Sequence, residues 1–183
     1  VPDPLTLEHR AAQIRIRAAV ARRVITLGVS DQTSPRFVGW SRSITDTVNT
    51  GRGLSARAAI DYYGRLRSAS GVSGPYAKYL PANETLGTLG RRLGIVTRLA
   101  ANDETRLVLV QGVTGRSVLQ AGRDALIGTG RTDPRSGRWA RVTGGEACDF
   151  CLMLAGRGAV YYEDSADFAA HDHCACMVEP QFS

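Results

Sequence analysis

All four cysteines of this chain lie between Cys148 and Cys176, together with two of its three histidines. Disulfide frameworks spread their cysteines to tie distant loops together, so this crowding favours a metal ion. The pattern is Cys148-x2-Cys151, then His171-x2-Cys174-x-Cys176. A Cys-x2-Cys pair on a tight turn, loosened by Gly144 and Gly145, brings two thiolates to one side at the span of a tetrahedral ion. In a strand, Cys174 and Cys176 share a face because side chains alternate, and the spacing from His171 suits a turn entering that strand. Five donors thus compete for four places: Cys148, Cys151 and Cys174, with the fourth contested by Cys176 and His171. The softness of the donors favours zinc. Four protein ligands leave no open position, so the expected site is structural. The competing readings are a pair of disulfides or free buried thiols. The opening Val1-Pro2-Asp3-Pro4 lacks the pattern of a secretory signal, which speaks against oxidation.

The residues before this window read as helices. Asp3 suits an N-cap and Pro4 a first helical turn, starting a helix over 4–27 that Gly28 stops. Leu7, Ala11, Ile14, Ala18, Ala21 and Ile25 recur at helical spacing and predict its buried stripe. His9 is expected in solvent. The Ser/Thr/Gly-rich stretch 29–53 reads as a loop with a short helix near 41–49, and 55–68 as a further helix. A turn at Ser73-Gly74-Pro75 precedes two more helices, 84–100 and 103–127. Asn102 and Asp103 mark the start of the second, whose Gly112, Gly115 and Gly122 weaken it unless they admit a close neighbour.

From about 128 the texture changes to a Gly/Pro-punctuated connector. Three short strands follow: Trp139–Val142, Ala159–Tyr162 and Ala175–Glu179. The fold class is therefore mainly α with a small C-terminal α+β zinc-binding module, divided as a basic helical domain over 1–137 and a zinc knuckle over 138–183. No apolar run is long enough to span a membrane.

The net charge is +6, and every basic residue but Lys78 is arginine. Codon usage in a GC-rich genome explains that bias; so does a polyanionic neighbour, since guanidinium groups grip phosphates and carboxylates. From 142 onward, however, Arg157 stands alone against Glu146, Asp149, Glu163, Asp164, Asp167, Asp172 and Glu179. A knuckle that reads DNA carries positive charge on itself.

The runs Arg141-Val142-Thr143-Gly144-Gly145-Glu146-Ala147-Cys148-Asp149-Phe150-Cys151 and His171-Asp172-His173-Cys174-Ala175-Cys176-Met177-Val178-Glu179-Pro180 resemble the C-terminal module of phage minor head proteins similar to the F product of phage Mu. The version is most similar to those of tailed phages infecting actinobacteria, and the match covers about 139–180. The resemblance implies a virion protein of head morphogenesis at the portal vertex or head interior, present in the host cytoplasm during assembly. Portal protein and major capsid protein are its implied partners, in several copies per virion, with possible contact to packaged double-stranded DNA.

Related proteins carry the label capsid maturation protease, but no catalytic motif here matches it. A serine triad needs a free histidine and a marked serine, and no G-x-S-x-G occurs. Glu163, Asp164 and Asp167 read as a solvated acidic loop, and His173 as exposed. An enzyme is the less favoured reading. The alternatives are a maturation protease and a DNA-binding zinc protein of the virion.

Overall fold

A computed structural model describes residues 3–144, 147–162 and 171–182. The expected acidic loop at Glu163, Asp164 and Asp167, together with Gly145 and Glu146, lies outside the described residues. Four long helices come first: α1 (Pro4–Leu27), α2 (Phe37–Ala69), α3 (Leu86–Leu99) and α4 (Asp103–Gly130). A strand β1 (Ser136–Val142), a short helix α5 (Asp149–Ala155) and a strand β2 (Met177–Phe182) complete the order. The chain is mainly α with a small C-terminal sheet, as its sequence pattern predicts.

The caps explain where the helices begin. Asp3 accepts the amide of Leu5 at 2.7 Å, and Pro4 occupies the first turn. Thr85 and Thr88 form a reciprocal capping box at α3, and Asn102 accepts the amide of Thr105 at 2.8 Å at α4.

Residues 29–53 are not mostly loop. One 33-residue helix covers the expected short helix, the stretch after it and the expected helix at 55–68. Its helix-poor residues are tolerated for two reasons. Ser43, Thr45, Thr47 and Thr50 each return their hydroxyl to the carbonyl four residues back. Gly51 marks the crossing of α1 and α4: a Cβ there would stand 2.5 Å from Val20 and 3.0 Å from Val118. Close helix packing overrides intrinsic propensity at that position.

The buried face of α1 also differs from expectation. Leu7 and Ile25 are exposed, whereas Thr6, His9, Gln13, Val20 and Val24 are buried. Polar side chains on this face find partners in α2. Thr6 shares a 2.6 Å hydrogen bond with the Tyr62 hydroxyl, Gln13 donates to the Ser55 carbonyl at 2.9 Å, and His9 stacks on the Tyr62 ring at 4.4 Å. Counting apolar residues therefore selected the wrong stripe. Gly122 on α4 makes room here: a Cβ would meet Ser55 at 2.7 Å.

Two apolar clusters fill the helical body. One joins Val24, Ile44, Val48, Leu89, Leu93, Val110 and Val118 across α1 to α4. The other joins Tyr62, Tyr63, Leu66, Ala125 and Leu126 of α2 and α4 to Trp139 and Val178 of the sheet. The expected connector over 128–137 is shorter than its Gly/Pro content suggests, because α4 runs on to Gly130 and β1 begins at Ser136. Asp133 within it is buried, where it accepts hydrogen bonds from Tyr63 at 2.9 Å and Arg67 at 2.7 Å.

The sheet is antiparallel, with Trp139 opposite Pro180, Arg141 opposite Val178 and Val142 opposite Met177. The expected strand at Ala159–Tyr162 reduces to one bridge between Tyr161 and Trp139. The expected strand Ala175–Glu179 instead starts at Met177, so Cys174 and Cys176 lie in the segment that leads into it.

Candidate metal centre

Two segments bring the predicted donors together, the start of α5 and the stretch 171–176 before β2. Cys148 is the N-cap of α5 and Cys151 sits in its first turn, so the x2 spacing is met by a helix start and not by a free turn. Leu152 closes that turn by donating to the Cys148 carbonyl at 3.0 Å. On the other side, the Cys174 amide donates to the His171 carbonyl at 3.2 Å, closing a turn over 171–174. His173 at the third position has φ 67°, a left-handed conformation that a side chain enters only at a cost. Its carbonyl accepts from Arg17 at 3.3 Å, and the turn lies against Gly112 of α4, where a Cβ would stand 2.8 Å from the His173 ring. That glycine is what lets the second donor turn approach the helix so closely.

The sulfurs of Cys151, Cys174 and Cys176 form a buried triad with separations of 2.8 Å (Cys174 to Cys176), 3.6 Å (Cys151 to Cys174) and 3.8 Å (Cys151 to Cys176). All four cysteines are free thiols. Cys148 and His171 occupy the exposed rim, with Sγ and Nε2 3.2 Å apart. The five predicted donors thus fall into two overlapping groups that share Cys151, either of which could hold a metal ion. The Cys-x-Cys pair faces one way without being in a strand, contrary to the reason given for it above.

The buried sulfur triad approaches the spacing of three corners of a tetrahedral site. With metal–sulfur bonds near ~2.3 Å, ligand sulfurs stand about 3.8 Å apart. The Cys151 distances already match this, and the Cys174–Cys176 pair needs to open by about 1 Å. His171 is held as a ligand-ready tautomer: the Asp172 carbonyl can only accept, so the ring donates from Nδ1 at 2.8 Å and turns Nε2 toward the cluster.

The electrostatics divide the cysteines, two toward thiolate and two toward thiol. The His171 ring, helped by Cys151, lowers Cys148 to about 7. The neighbouring Cys176 lowers Cys174 to about 4, while Cys176 is itself pushed up by sharing that proton and by burial. Burial raises Cys151. The backbone bond to Asp172 and the contact with Cys148 raise His171.

Two arginines that sequence reasoning passed over complete the surroundings. Arg141 directs Nη1 to the Cys176 sulfur at 2.9 Å. Arg123 of α4 donates from Nε and Nη2 to the Cys176 carbonyl at 3.0 and 2.8 Å, and from Nη2 to the Cys174 carbonyl at 3.3 Å. Strand alternation carried a signal for the first. Arg141 lies two residues beyond Trp139, on the face of β1 that Trp139 buries.

His173 is exposed, as expected, and Arg116 reaches Asp172 beside it at 3.7 Å. His9 belongs to the helical body and is buried, contrary to its expected place in solvent.

The profile of the VG15 protein family matches residues 3–183, almost the whole chain. The chain belongs to the VG15 family. This is a phage-associated family, consistent with a virion protein. No curated protein and no solved structure matches the VG15 chain.

Proposed function

We propose that this VG15 protein is a minor head protein of the phage Mu F-like type, acting in capsid assembly at the portal vertex and inner capsid wall. Its metal centre is a structural zinc site in this reading, with Cys151, Cys174 and Cys176 as ligands and the fourth supplied from the rim by Cys148 or His171. The observation that carries the proposal is the five-donor cluster, set within a chain that matches a phage family along its length. Zinc would supply no reaction here; its chemistry is to hold two distant turns as one unit. A docking role is supported by α5, whose Phe150, Leu152 and Met153 are all exposed. Exposed arginines of α1 such as Arg15, Arg22 and Arg23 give the body a basic face suited to packaged DNA. No helix among the described residues is long and apolar enough to cross a membrane.

The test is co-purification with portal protein and major capsid protein during head assembly, alongside metal analysis of the purified chain. The expected result is about one zinc per chain and recovery with portal-containing particles, lost in a Cys151→Ser/Cys174→Ser variant. Absence from assembling heads would overturn the assignment.

One observation bears on the maturation-protease alternative: Cys148 and His171 form an exposed thiol–imidazole pair. The same two groups form the rim of the metal centre, so zinc loading competes with any use of them as nucleophile and base. Incubation with purified major capsid protein is expected to give no cleavage that Cys148→Ser abolishes.

A further inference from the structure

A zinc ion held by three thiolates and one rim donor leaves the loaded site with a net negative charge, −1 with His171 and −2 with Cys148, as ligand arithmetic requires. Three of those sulfurs are buried, and a buried charge without compensation is costly. The two buried cations of this region sit where that charge would be. Arg141, 5% exposed, places Nη1 2.9 Å from the Cys176 sulfur and 3.8 Å from the Cys151 sulfur. Arg123, 1% exposed, grips the backbone carbonyls of both Cys174 and Cys176.

These two residues come from different elements. Arg123 stands on α4, the helix that carries much of the body's core, and Arg141 on β1. The loop that presents Cys174 and Cys176 is therefore fixed from two sides by groups outside the donor set.

We propose that Arg141 and Arg123 are the positioning residues of the metal centre, Arg141 as counter-charge and N–H···S donor to the Cys176 thiolate, Arg123 as the clip that seats the Cys174–Cys176 loop on α4. The assignment rests on the metal reading above. It implies that the site is tuned from the helical body: the affinity for metal is set by residues that touch no ion. Outer partners of this kind change metal affinity by roughly 10- to 100-fold when removed.

The experiment uses the full chain and cobalt(II), whose thiolate charge-transfer band reports sulfur ligation directly, with affinity read by competition against a chelator. Arg141→Met is expected to weaken cobalt binding at least tenfold with the band retained at saturation, and Arg141→Lys to recover part of the loss by restoring the charge. Arg123→Met is expected to weaken binding while the helical circular dichroism stays at the wild-type level. Wild-type affinity in both Met variants, within twofold, would overturn the proposal. So would Arg141→Lys behaving no better than Arg141→Met, since that result would make the role one of shape alone. A wild-type chain that shows no charge-transfer band would instead sink the metal reading itself, a distinguishable failure.

Discussion

The helical body buries two clusters of large apolar side chains, although Leu7, Ile25 and Leu99 face solvent; α5 turns Phe150, Leu152 and Met153 outward. Leu89, Leu93, Leu119 and Leu126 are all but inaccessible, whereas Phe150, Leu152 and Met153 are each about half exposed and Cys151 is the one buried residue of their helix. The body is thus held by burial of apolar area, about 1.5–3 kcal/mol for each large side chain fully removed from water. Among the described residues, the segments around α5 and 171–176 gather only three sulfurs and Ala147 at their centre. Such a centre offers little apolar area against the conformational entropy of ordering those segments, and in the proposed reading the ion supplies what area does not. The sheet lies on the body's side of this contrast, because Trp139 and Val178 belong to the apolar cluster of α2 and α4.

Chelation is the largest perturbation available. If the proposed zinc is bound, removing it is expected to withdraw on the order of 10 kcal/mol from the segments around the cysteine cluster. Hydrogen exchange should then show loss of protection in 149–156 and 171–176, with α2, α4 and the Trp139 region of β1 unchanged. If α1 to α4 lost protection at the same chelator concentration, the body would not be the self-sufficient unit that its cores describe.

The reverse experiment breaks the body and spares the metal centre. Arg67 donates to buried Asp133 at 2.7 Å, and their side chains are 5% and 0% exposed. Tyr63 donates to the same carboxylate. Arg67→Met leaves that carboxylate buried with the Tyr63 hydroxyl and the Arg135 amide but without the Arg67 counter-charge, and removal of one member of a buried pair costs about 3–5 kcal/mol. Denaturant unfolding should register this loss while zinc content per chain stays at the wild-type value. Simultaneous loss of zinc would show that the two regions are energetically one.

This same ion pair shows where the sequence was legible and where it was not. Helix starts at Pro4 and Asp103 were readable because capping is local: Asp3 and Asn102 act within three residues of themselves. The residues that gather in the cluster were readable because metal ligation demands particular side chains at particular spacings. What could not be read was the interior use of arginine. Arg52, Arg67, Arg123 and Arg141 are buried, and their partners lie far along the chain: Ser117, Asp133, Cys176 and again Cys176. A bias that composition alone assigns to codons or to a polyanion thus has a third use, in which planar, multiply donating groups bind elements to one another. The unbroken α2 was hidden for a related reason: the glycine that argues against a helix at 51 is the residue that lets α1 and α4 approach it.

Acid supplies the gentlest test of the contrast, and its effect should appear first in the body. His9 is 4% exposed, stacked on Tyr62, and burial lowers it from its usual range to about 4. A histidine lowered in the native state stays neutral there while the unfolded chain takes up a proton near pH 6.5, so stability is full above that value and falls as pH drops toward 4. Between pH 7 and pH 5 the loss is about 2 kcal/mol, from the distance between the two titrations. His9→Phe keeps the stacked ring and removes the titration, so its denaturant midpoint should lose less over that interval than the wild type does. Urea unfolding curves at both pH values, monitored by helical circular dichroism, measure the difference. Equal losses in the two proteins would mean that the acid sensitivity originates outside α1.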